Sequence, residues 1–573
     1  MRRFLAGETA RRKVRRSSES PEHKRPAPLK EKADSRVVMP SFQLMTTKPA
    51  SIPFAALALA ALASAPLRAD VKPNPLFTDG AVLQRGQAVP VWGTARDGEK
   101  VTVEVGTQKV STTAANGSWS VSLKPLKEGG PLTMKITGDN TVTVNNLLVG
   151  EVWVCSGQSN MEWTFSRAHN AKEEGPKATY PKIRMFTVTK KVSAKPVTEP
   201  VGKWVECAPE TVGSFSAVGY FFARDLYQKL GVPVGMIHTS WGGTPAQAWT
   251  SIEGFGSDPE LKGYADGAKA LLASYEANAP GYPAKLAEYQ AAKKTWDESV
   301  GKAYNESVNA WNAATATAKA ANQPLPPKPS PSSPPPSQPA NPDGSSGTPT
   351  ALYNGMVAPI IPYAIKGAIW YQGESNAGQS KQYRTLFPAM IADWRDKWKQ
   401  GDFPFFFVQI APFNGQPPEI REAQLLTLAK SKNTAMAVTT DVGNATDIHP
   451  TQKEPVGQRL ALAARALTYG EKIEYSGPLY ASMKAAGDKV ELSFTHTGGG
   501  LVAKDGELKG FTVAGDDKKF VPAKATIKGD KIIVSAEGVA KPAAVRYGWA
   551  NVPDVNLFNK EGLPASPFRT DVD

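Results

Sequence analysis

Between Glu151 and Val442, short apolar runs alternate along the chain with stretches that have helical periodicity. The runs that read as strands are "EVWVC", "PVGMIHTS", "IKGAIWYQ", "FPFFFVQIA" and "TAMAVTTDV". Strands that are apolar throughout and alternate with helices are typical of a largely parallel sheet with helices on both faces. Reacting groups in such sheets lie beyond the carboxyl ends of the strands. The sequence therefore predicts an α/β fold whose functional residues directly follow its strands.

Two regions with the pattern of β-structure flank this alternation. Residues 70–148 contain alternating runs such as "VTVEV" and "WSVSL", separated by Gly, Asn and Asp turns, which predict a small antiparallel β-sandwich domain. Residues 471–573 contain "KVELSFTH" and "KIIVSA", which predict a second β-domain. The α/β domain then occupies residues 149–470, which is long enough for a core of its own.

An insertion interrupts the α/β domain between residues 255 and 350. Its first part is Ala-rich and predicts helices, whereas its second part has 11 Pro between Pro324 and Pro349. A stretch so rich in Pro cannot form a packed helix and predicts an extended tether or loop. We therefore interpret 255–350 as an insertion into the α/β domain rather than as a domain boundary.

The formal charge of +14 is concentrated in a leader, residues 1–69, whose 14 Lys/Arg and 5 Asp/Glu give a net charge of +9. The remaining +5 does not indicate a nucleic-acid partner. The leader contains "MTTKPASIPFAALALAALASAPLRAD", which has the basic, apolar and small-residue order of a secretory signal peptide cleaved near Ala69. Its apolar run is too short to span a bilayer. The mature chain is therefore predicted to be periplasmic or extracellular, without an integral membrane segment.

Cysteine and histidine are scarce, with only Cys155, Cys207 and five His in the chain. In an exported protein the two Cys could form a disulfide, but two separate buried thiols explain them equally well. No Cys or His cluster in the sequence has the spacing of a zinc site. A structural metal is therefore not expected, and the serine chemistry considered below requires neither a metal nor an organic cofactor.

Ser159 follows the apolar run "EVWVC" and precedes "NMEWTF", so it is predicted to lie at the entrance to a helix. There a backbone N–H and the helix dipole stabilise a developing oxyanion. The second glycine of the G-x-S-x-G elbow is missing, and a Ser after a strand is usually a cap or turn. A nucleophilic Ser also needs a base and an acid that orients the base. Of the five His, His449 follows a predicted strand, two residues beyond Asp447.

Two further strand ends supply possible oxyanion donors. Gly242 and Gly243 follow the strand "GMIHTS" within "SWGGT", and their backbone N–H groups could point inward. The stretch "WYQGESN" ends another strand and supplies the amide of Asn376 beside Glu374. Each feature alone is weak, because Gly pairs mostly make turns. Together they place small or amide residues at three separate strand ends.

Seven motifs follow one another along the chain: "VCSGQSNMEW", "VGYFFARDL", "IHTSWGGTPAQAW", "LYNGMVAPII", "WYQGESNA", "IREAQ" and "DIHP". In this order they resemble the motifs of the sialate O-acetylesterase family, a branch of the SGNH-hydrolase superfamily of carbohydrate acetylesterases. The resemblance covers the chain from Asp70 to the C-terminus, apart from the insertion at 255–350. It implies an SGNH-type, flavodoxin-like three-layer α/β/α domain with a parallel sheet, flanked by N-terminal and C-terminal β-sandwich-like domains.

The resemblance also implies roles for individual residues. Ser159 takes the position of the nucleophile, His449 that of the base and Asp447 that of the orienting acid. SGNH enzymes more often have two residues between the acid and the His, so Asp441 and Glu374 stay open as the acid. The implied oxyanion hole consists of the Ser159 N–H, the Gly243 (or Gly242) N–H and the Asn376 side chain. Residues implied to order the site or contact substrate are Gln158, Asn160, Glu374, Arg421, Gln424 and Trp241.

These features predict a secreted serine esterase that removes O-acetyl groups from an acetylated sugar through an acetyl-Ser intermediate. The sugar is either sialic acid, as the family name indicates, or a plant polysaccharide such as xylan. Aromatic residues near the strand ends could stack on a sugar ring, although such residues more often belong to the core; they are Trp163, Trp241, Trp249, Trp370 and Tyr371. The alternatives are a non-catalytic carbohydrate-binding protein and a glycosidase that uses two carboxylates, such as Glu374 and Asp447.

Overall fold

The computed structural model describes residues 70–571, so the predicted leader and its cleavage site at Ala69 lie outside the described residues. Eight strands precede the first helix: β1 (Lys72–Pro73), β2 (Val82–Gln84), β3 (Val89–Thr94), β4 (Lys100–Val105), β5 (Gln108–Thr113), β6 (Ser118–Leu123), β7 (Gly129–Thr137) and β8 (Thr141–Gly157). Strands β1, β3 and β6 form one antiparallel sheet, while β4 pairs with β5 and β7, and β7 pairs with β8. Every second residue of β6 is buried, because successive side chains of a strand point to opposite faces.

Strand β8 is 17 residues long and joins this first region to a central sheet. Its first part pairs antiparallel with β7, whereas its last part pairs in parallel with two strands of the central sheet. Residues 147–157 are all buried, as expected for a strand with both faces covered. The domain boundary predicted between residues 148 and 149 lies inside this strand.

The central sheet continues with β9 (Tyr180–Thr187), β10 (Trp204–Cys207), β11 (Val234–Ser240), β12 (Gly367–Tyr371), β13 (Phe405–Val408) and β14 (Thr434–Ala437). The strand order is β10-β9-β11-β8-β12-β13-β14. All neighbouring pairs along this order are parallel except β10 with β9, which is antiparallel. The predicted α/β class is therefore confirmed, with a mixed sheet and additional β-sheet regions.

Nine α-helices are present in residues 70–571: α1 (Ser159–Glu162), α2 (Ala171–Glu174), α3 (Ala217–Leu230), α4 (Lys262–Asn278), α5 (Tyr282–Trp296), α6 (Lys302–Ala320), α7 (Ser380–Trp398), α8 (Pro418–Lys430) and α9 (Glu454–Ala463). The capping residues of helix α3 explain where this helix begins and ends. The Ser216 Oγ accepts a hydrogen bond from the Gly219 N–H at 3.2 Å, which caps the first turn. Gly231, with φ of +70°, ends the helix in the left-handed conformation.

Helices contact both faces of the central sheet. Trp153 of β8 packs against Phe222 of α3, with ring centroids 5.0 Å apart. Trp370 of β12 packs against Trp394 of α7 at 5.8 Å. Trp370 is aligned with Ser156, three residues beyond Trp153, so the two Trp side chains point to opposite faces. Helix α3 also packs on α9, and α7 packs on α8.

The insertion has the two parts that the sequence predicts. Its first part forms α4, α5 and α6, and residues 323–348 contain no helix or strand. The Trp311 Nε1–H donates to the Pro326 carbonyl at 2.8 Å, and the Trp296 Nε1–H donates to the Ser333 carbonyl at 3.0 Å. These bonds hold the Pro-rich segment along α5 and α6.

The last part of the chain consists of β15 (Leu479–Ala486), β16 (Lys489–Thr495), β17 (Leu501–Ala503), β18 (Phe511–Ala514), β19 (Val521–Pro522), β20 (Lys524–Lys528), β21 (Lys531–Ser535), β22 (Ala544–Tyr547), β23 (Leu557–Asn559) and β24 (Phe568–Arg569). These strands form three sheets around a hydrophobic core of their own, in which Tyr480 stacks on Phe568 at 4.6 Å. Within residues 70–571, no helix is both long and apolar enough to cross a membrane.

Candidate active site

Ser159 lies at the carboxyl edge of the central sheet, between β8 and α1. Gly157 ends β8 with φ of +135°, and a Cβ there would be 2.1 Å from the Tyr371 carbonyl oxygen, so only glycine fits. The Gln158 N–H donates to that same oxygen at 2.9 Å. Ser159 is then the first residue of α1, and its backbone N–H has no hydrogen-bond partner among residues 70–571. The predicted strand-to-helix position of Ser159 is therefore confirmed.

His449 faces Ser159 from the loop between β14 and α9. The His449 Nε2 lies 2.8 Å from the Ser159 Oγ, although 290 residues separate the two in sequence. Burial lowers the pKa of His449 below its usual value, and the neighbouring Asp447 carboxylate opposes this shift. The imidazole is consequently neutral near pH 7 and can accept a proton from the hydroxyl.

Of the three acids considered for His449, only Asp447 faces it. The Asp447 Oδ1 lies 3.5 Å from the His449 Nδ1 and accepts the His449 backbone N–H at 2.9 Å. Both carboxylate oxygens of Asp441 accept from Arg459, at 2.8 and 2.6 Å. The Glu374 Oε1 accepts from the Asn160 side chain at 2.6 Å, and its carboxyl group is buried. The geometry favours Asp447 as the orienting acid.

Gly242 and Gly243, in the loop after β11, differ in whether the backbone N–H already has a partner. Gly242 lies against the nucleophile, since a Cβ on it would be 3.2 Å from the Ser159 Cβ. Its N–H, however, donates to the Glu162 Oε2 at 2.6 Å. The N–H of Gly243, whose φ is +74°, has no partner in the part of the chain that the structure describes. Gly243 rather than Gly242 is therefore the available donor.

The Asn376 side chain is 1% exposed and is hydrogen-bonded within the protein. Its Nδ2 donates to the Gln247 Oε1 at 2.9 Å. Its Oδ1 accepts from the Ala246 N–H at 2.8 Å and from the Gln372 Nε2 at 2.7 Å. These bonds tie the segment after Gly243 to the end of β12, and a direct role of Asn376 as an oxyanion donor stays a prediction.

Ser159 and His449 line a cavity of about 240 Å³ together with Glu162, Trp163, Thr164 and Arg167. The Trp163 ring stacks on the His449 ring, with centroids 5.4 Å apart and planes inclined by 22°. The Arg167 guanidinium lies 3.5 Å from the Trp163 ring centroid. A larger cavity of about 780 Å³ beside α7 contains neither Ser159 nor His449. The smaller cavity is therefore the one that matters for chemistry at Ser159.

Known proteins are similar to this chain in both sequence and fold. A family model for carbohydrate esterases, described as sialic acid-specific acetylesterase, matches residues 149–312 and 345–466. The sialate O-acetylesterase of Rattus norvegicus is 30% identical over 532 residues, covering 83% of this chain and 90% of its own length. The chain belongs to the sialate O-acetylesterase family.

Other members of this esterase group agree with the assignment. The sialate O-acetylesterase of Homo sapiens is 28% identical over 542 residues, covering 85% of this chain and 90% of its own length. The crystal structure of a carbohydrate acetylesterase from Xanthomonas citri superposes with a TM-score of 0.71 at 35% identity. The superposition covers 88% of this chain and 100% of the Xanthomonas citri chain. The predicted family and the esterase class are both confirmed.

A buried polar cluster of Asn160, Glu374 and Lys453 lies next to the predicted catalytic pair of this esterase. The Lys453 Nζ donates to the Asn160 Oδ1 at 2.5 Å, and the Asn160 Nδ2 donates to Glu374 and, at 3.1 Å, to the Ile448 carbonyl. Burial lowers the pKa of Lys453 to about 7, although Glu374 and Asp447 oppose the shift. Burial likewise raises the pKa of Glu374. Asn160 and Glu374 were predicted to order the site, whereas Lys453 was not.

Gln158 and Gln424 support the strand ends rather than the cavity. The Gln158 Oε1 accepts from the Ser375 N–H at 3.1 Å. The Gln424 Nε2 donates to the carbonyls of Gln372 and Val408, at 3.0 and 3.1 Å, which joins β12 to β13. Both residues therefore connect segments at the ends of the strands, and their role in ordering the site stays a prediction.

Arg421 is fully buried and points toward the last part of the chain. Its Nη2 donates to the Ala550 carbonyl and, at 3.3 Å, to the Asn551 carbonyl. Burial lowers the pKa of Arg421 to about 10. Arg421 therefore links α8 to the C-terminal β-region and does not line the cavity of about 240 Å³.

The aromatic residues divide into core and site. Trp249, Trp370 and Tyr371 are fully buried, so they belong to the core, as the more common interpretation predicts. Trp163 lines the cavity. Trp241 is half-buried beneath the Lys190 Nζ, which lies 5.3 Å from its ring centroid.

Cys155 and Cys207 are both free and buried. They lie on β8 and β10, which are separated by β11 and β9 in the sheet. Three strand spacings amount to about 14 Å, twice the Cα separation that a disulfide allows. Two separate thiols are therefore the correct one of the two interpretations that the sequence left open.

Proposed function

We propose that this protein is an exported serine esterase that removes O-acetyl groups from an acetylated sugar through an acetyl-Ser159 intermediate. The observation that carries the proposal is the 2.8 Å separation of the Ser159 Oγ and the His449 Nε2 at the wall of a cavity. Membership of a carbohydrate esterase family supports the type of reaction. The signal-peptide pattern in residues 1–69 supports export.

The first half of the reaction transfers the acetyl group to the enzyme. His449 Nε2 takes the Ser159 hydroxyl proton while the Oγ attacks the acetyl carbonyl carbon, and the carbonyl π electrons move onto oxygen. The Ser159 and Gly243 N–H groups then hold the oxyanion, with Asn376 as the third donor of the predicted hole. Asp447 stabilises the imidazolium that forms, because its carboxylate faces the His449 Nδ1.

The second half returns the enzyme to its starting state. The tetrahedral intermediate collapses, the C–O bond to the sugar breaks, and the alkoxide leaves with the proton held on His449 Nε2. A water molecule then gives a proton to the same nitrogen and attacks the acetyl carbonyl. Acetate leaves, and Ser159 recovers its proton from His449.

The charge of the cavity favours an acidic acetylated sugar over a neutral one. Both oxygens of Glu162 are engaged, with the Lys190 Nζ at 2.5 Å and with the Gly242 N–H. Arg167 has no anionic partner within residues 70–571, and its guanidinium is stacked on Trp163. An unpaired guanidinium beside Ser159 fits a substrate carboxylate, so we favour acetylated sialic acid over acetylated xylan.

A glycosidase with two carboxylates fits this geometry less well. Such enzymes need two carboxyl groups that flank one glycosidic bond. Glu374 is buried, bonded to Asn160 and absent from the lining of the cavity that contains Ser159. Of the residues that line this cavity, Glu162 alone carries a carboxylate, and both of its oxygens are engaged.

We further propose that the central region has the three-layer α/β/α arrangement of SGNH hydrolases. The opposite orientation of Trp153 and Trp370, which contact α3 and α7, supports it. We retain the predicted C-terminal β-domain, because the last region has a hydrophobic core of its own. The predicted N-terminal β-domain and the catalytic domain are retained as regions of the fold that share strand β8 and one hydrophobic core.

Acetate release from acetylated sialic acid and from acetylated xylan tests the function. Wild type should release acetate, and Ser159→Ala should reduce kcat by about 10⁴-fold or more, because the nucleophile is lost. Ser166→Ala, on an exposed turn of the same segment, is the matched control and should retain wild-type kcat. No release by wild type, or equal release by Ser159→Ala, would contradict the proposal.

The preference for an acidic sugar is tested separately with acetylated sialic acid and its carboxyl methyl ester. Arg167→Gln should raise KM for the acid about 10-fold, as expected for loss of one charged hydrogen bond, and change KM for the ester less than about two-fold. Arg96→Gln, which breaks an exposed ion pair with Asp139, is the control. Equal effects on acid and ester would refute the assignment of Arg167.

A further inference from the structure

We infer that Lys453 is a positioning residue that, through Asn160, fixes the distance between Ser159 and His449. This inference rests on the serine-esterase function proposed above. Asn160 follows Ser159 in sequence, and its Nδ2 donates at 3.1 Å to the carbonyl of Ile448, which precedes His449. One side-chain amide therefore connects the helix that carries the nucleophile to the loop that carries the base.

Lys453 determines which way round the Asn160 amide is held. Its Nζ–H donates to the Asn160 Oδ1, so the Nδ2 is directed to its two acceptors, the Ile448 carbonyl and the Glu374 carboxyl group. A rotated amide would place its oxygen against both of those oxygens and its NH₂ against the N–H donors of Lys453. Lys453 therefore disfavours the rotated arrangement, in which the link to the His449 loop is lost.

The surroundings of Lys453 indicate that its amino group serves as a hydrogen-bond donor and not only as packing. The residue is 1% exposed, and removal of an ammonium from water costs several kcal/mol. The Nζ lies 5.5 Å from the Trp163 ring centroid and 5.3 Å from that of Tyr371, and Glu374 provides an opposite charge. An aliphatic residue would fill this space without the cost of desolvation, so packing alone does not account for a lysine.

Lys453 does not line the cavity that contains Ser159 and His449. It therefore acts on the reacting pair rather than on the bound sugar. Loss of its contact should change the step in which Ser159 gives its proton to His449, and should leave substrate affinity nearly unchanged. A displacement of about 1 Å between reacting groups costs roughly 10²-fold in rate.

The first experiment compares Lys453→Met with wild type, since Met keeps the packing between Trp163 and Tyr371 without a donor. We expect kcat for acetate release to fall about 10- to 100-fold, with KM changed less than about two-fold. Lys366→Met is the matched control, because Lys366 also lies over a tyrosine ring, that of Tyr469, at the opposite end of β12. The control should keep wild-type kcat.

A fluorophosphonate probe separates this inference from the proposed function. The rate at which the probe labels Ser159 depends on the Ser159–His449 pair and not on the natural sugar. Labelling should be slower in Lys453→Met by the same 10- to 100-fold. Absence of labelling in wild type would refute the serine-esterase function, whereas equal labelling rates in both proteins would refute only the inference about Lys453.

Two further variants exclude a purely structural effect. The double variant Lys453→Met with Glu374→Gln removes both buried charges, so an effect due only to an unpaired carboxylate should disappear. We expect kcat of the double variant to stay low, because the Asn160 Oδ1 still lacks its donor, and recovery to wild type would overturn the inference. Lys453→Gln retains an N–H donor and should be faster than Lys453→Met.

If Lys453→Met does not fold, Asn160→Asp provides the same test. Asp keeps an acceptor for Lys453 but removes the donor to the Ile448 carbonyl. We expect a folded protein, as judged by its melting temperature, in which labelling of Ser159 is about 10- to 100-fold slower. Wild-type labelling by Asn160→Asp would refute the proposed link between the two segments.

Discussion

Within residues 70–571, two Ser–His pairs lie within hydrogen-bond distance, one beyond the carboxyl edge of the central sheet and one inside strand β11. The Ser159 Oγ lies 2.8 Å from the His449 Nε2, and the Ser240 Oγ lies 2.6 Å from the His238 Nε2. His238 and Ser240 are on β11 and are each 5% exposed, whereas the His449 side chain is 31% exposed at a cavity wall. The closer pair is the one that substrate cannot reach.

The electrostatic surroundings of the two imidazoles also differ. Asp447 faces the His449 Nδ1, while the His238 Nδ1 has no partner within residues 70–571. Burial lowers the pKa of His238 to about 4, so a proton transferred to it would not be stabilised. Access, an acid and nearby N–H donors therefore distinguish the two pairs, and a short Ser–His distance alone does not indicate a catalytic site.

The largest expected effect is loss of the base. His449→Ala should lower kcat for acetate release by about 10⁴-fold or more, because the nucleophile then has no proton acceptor. The melting temperature should change little, since the side chain is partly exposed. His238→Gln is the comparison and should retain kcat in the folded protein; a loss of kcat as large as that of His449→Ala would abolish the distinction between the pairs.

The buried pair should instead control stability in acid. The pKa of His238 is about 4 in the folded protein and near 6.5 when unfolded, so the unfolded state binds more protons between these values. The free energy of unfolding should therefore fall by roughly 3 kcal/mol as pH drops from 7 toward 4. Denaturant unfolding at pH 7 and 4.5 measures this loss. If His238→Gln loses as much free energy as wild type, His238 is not its source.

The acid beside His449 should have a smaller effect on catalysis. Asp447→Asn should lower kcat about 10- to 100-fold, less than for a buried, tightly bonded acid, because the 3.5 Å contact is half-exposed. Asp447 raises the pKa of His449, so its removal should move the acid limb of kcat/KM to lower pH. Asp441→Asn breaks the ion pair with Arg459 and should leave that limb in place. A shift in Asp441→Asn alone would identify Asp441 as the orienting acid.

The smallest effect should come from the hydroxyl of the buried pair. Ser240→Ala leaves the His238 Nε2 without its partner and should lower the free energy of unfolding by about 1–3 kcal/mol. The kcat per folded molecule should not change. Ser159→Ala should show the reverse, with activity lost and stability nearly retained. Thermal unfolding and acetate release, measured on both variants, would contradict this reciprocity if Ser240→Ala lowered kcat more than about two-fold.

Sequence patterns predicted Ser159 and His449 because both follow apolar strands and lie in motifs that resemble those of the family. They did not predict Lys453, which stands four residues after His449 at the start of a helix, where a lysine usually faces solvent. Its burial depends on Trp163 and Tyr371, which reach it from distant parts of the chain. Tertiary packing of this kind leaves no local pattern.

The sequence did not predict β8 as one continuous strand, for a different reason. The strand alternates between buried and exposed residues at its start and is buried throughout from residue 147, so one strand has two patterns. A bulge in its pairing with β7 and a positive φ at Asn146 interrupt the regular alternation. The boundary predicted between residues 148 and 149 therefore lies where one continuous strand changes its neighbours.

That long strand has a consequence for how the molecule can be divided. The nucleophile lies two residues beyond a strand that begins at Thr141, among the first β-strands. A recombinant fragment that starts at residue 149 would remove nearly half of β8, together with the strands that pair with that part. The N-terminal region is therefore not an exchangeable module of this enzyme, and swaps with related esterases should place their crossover before residue 141.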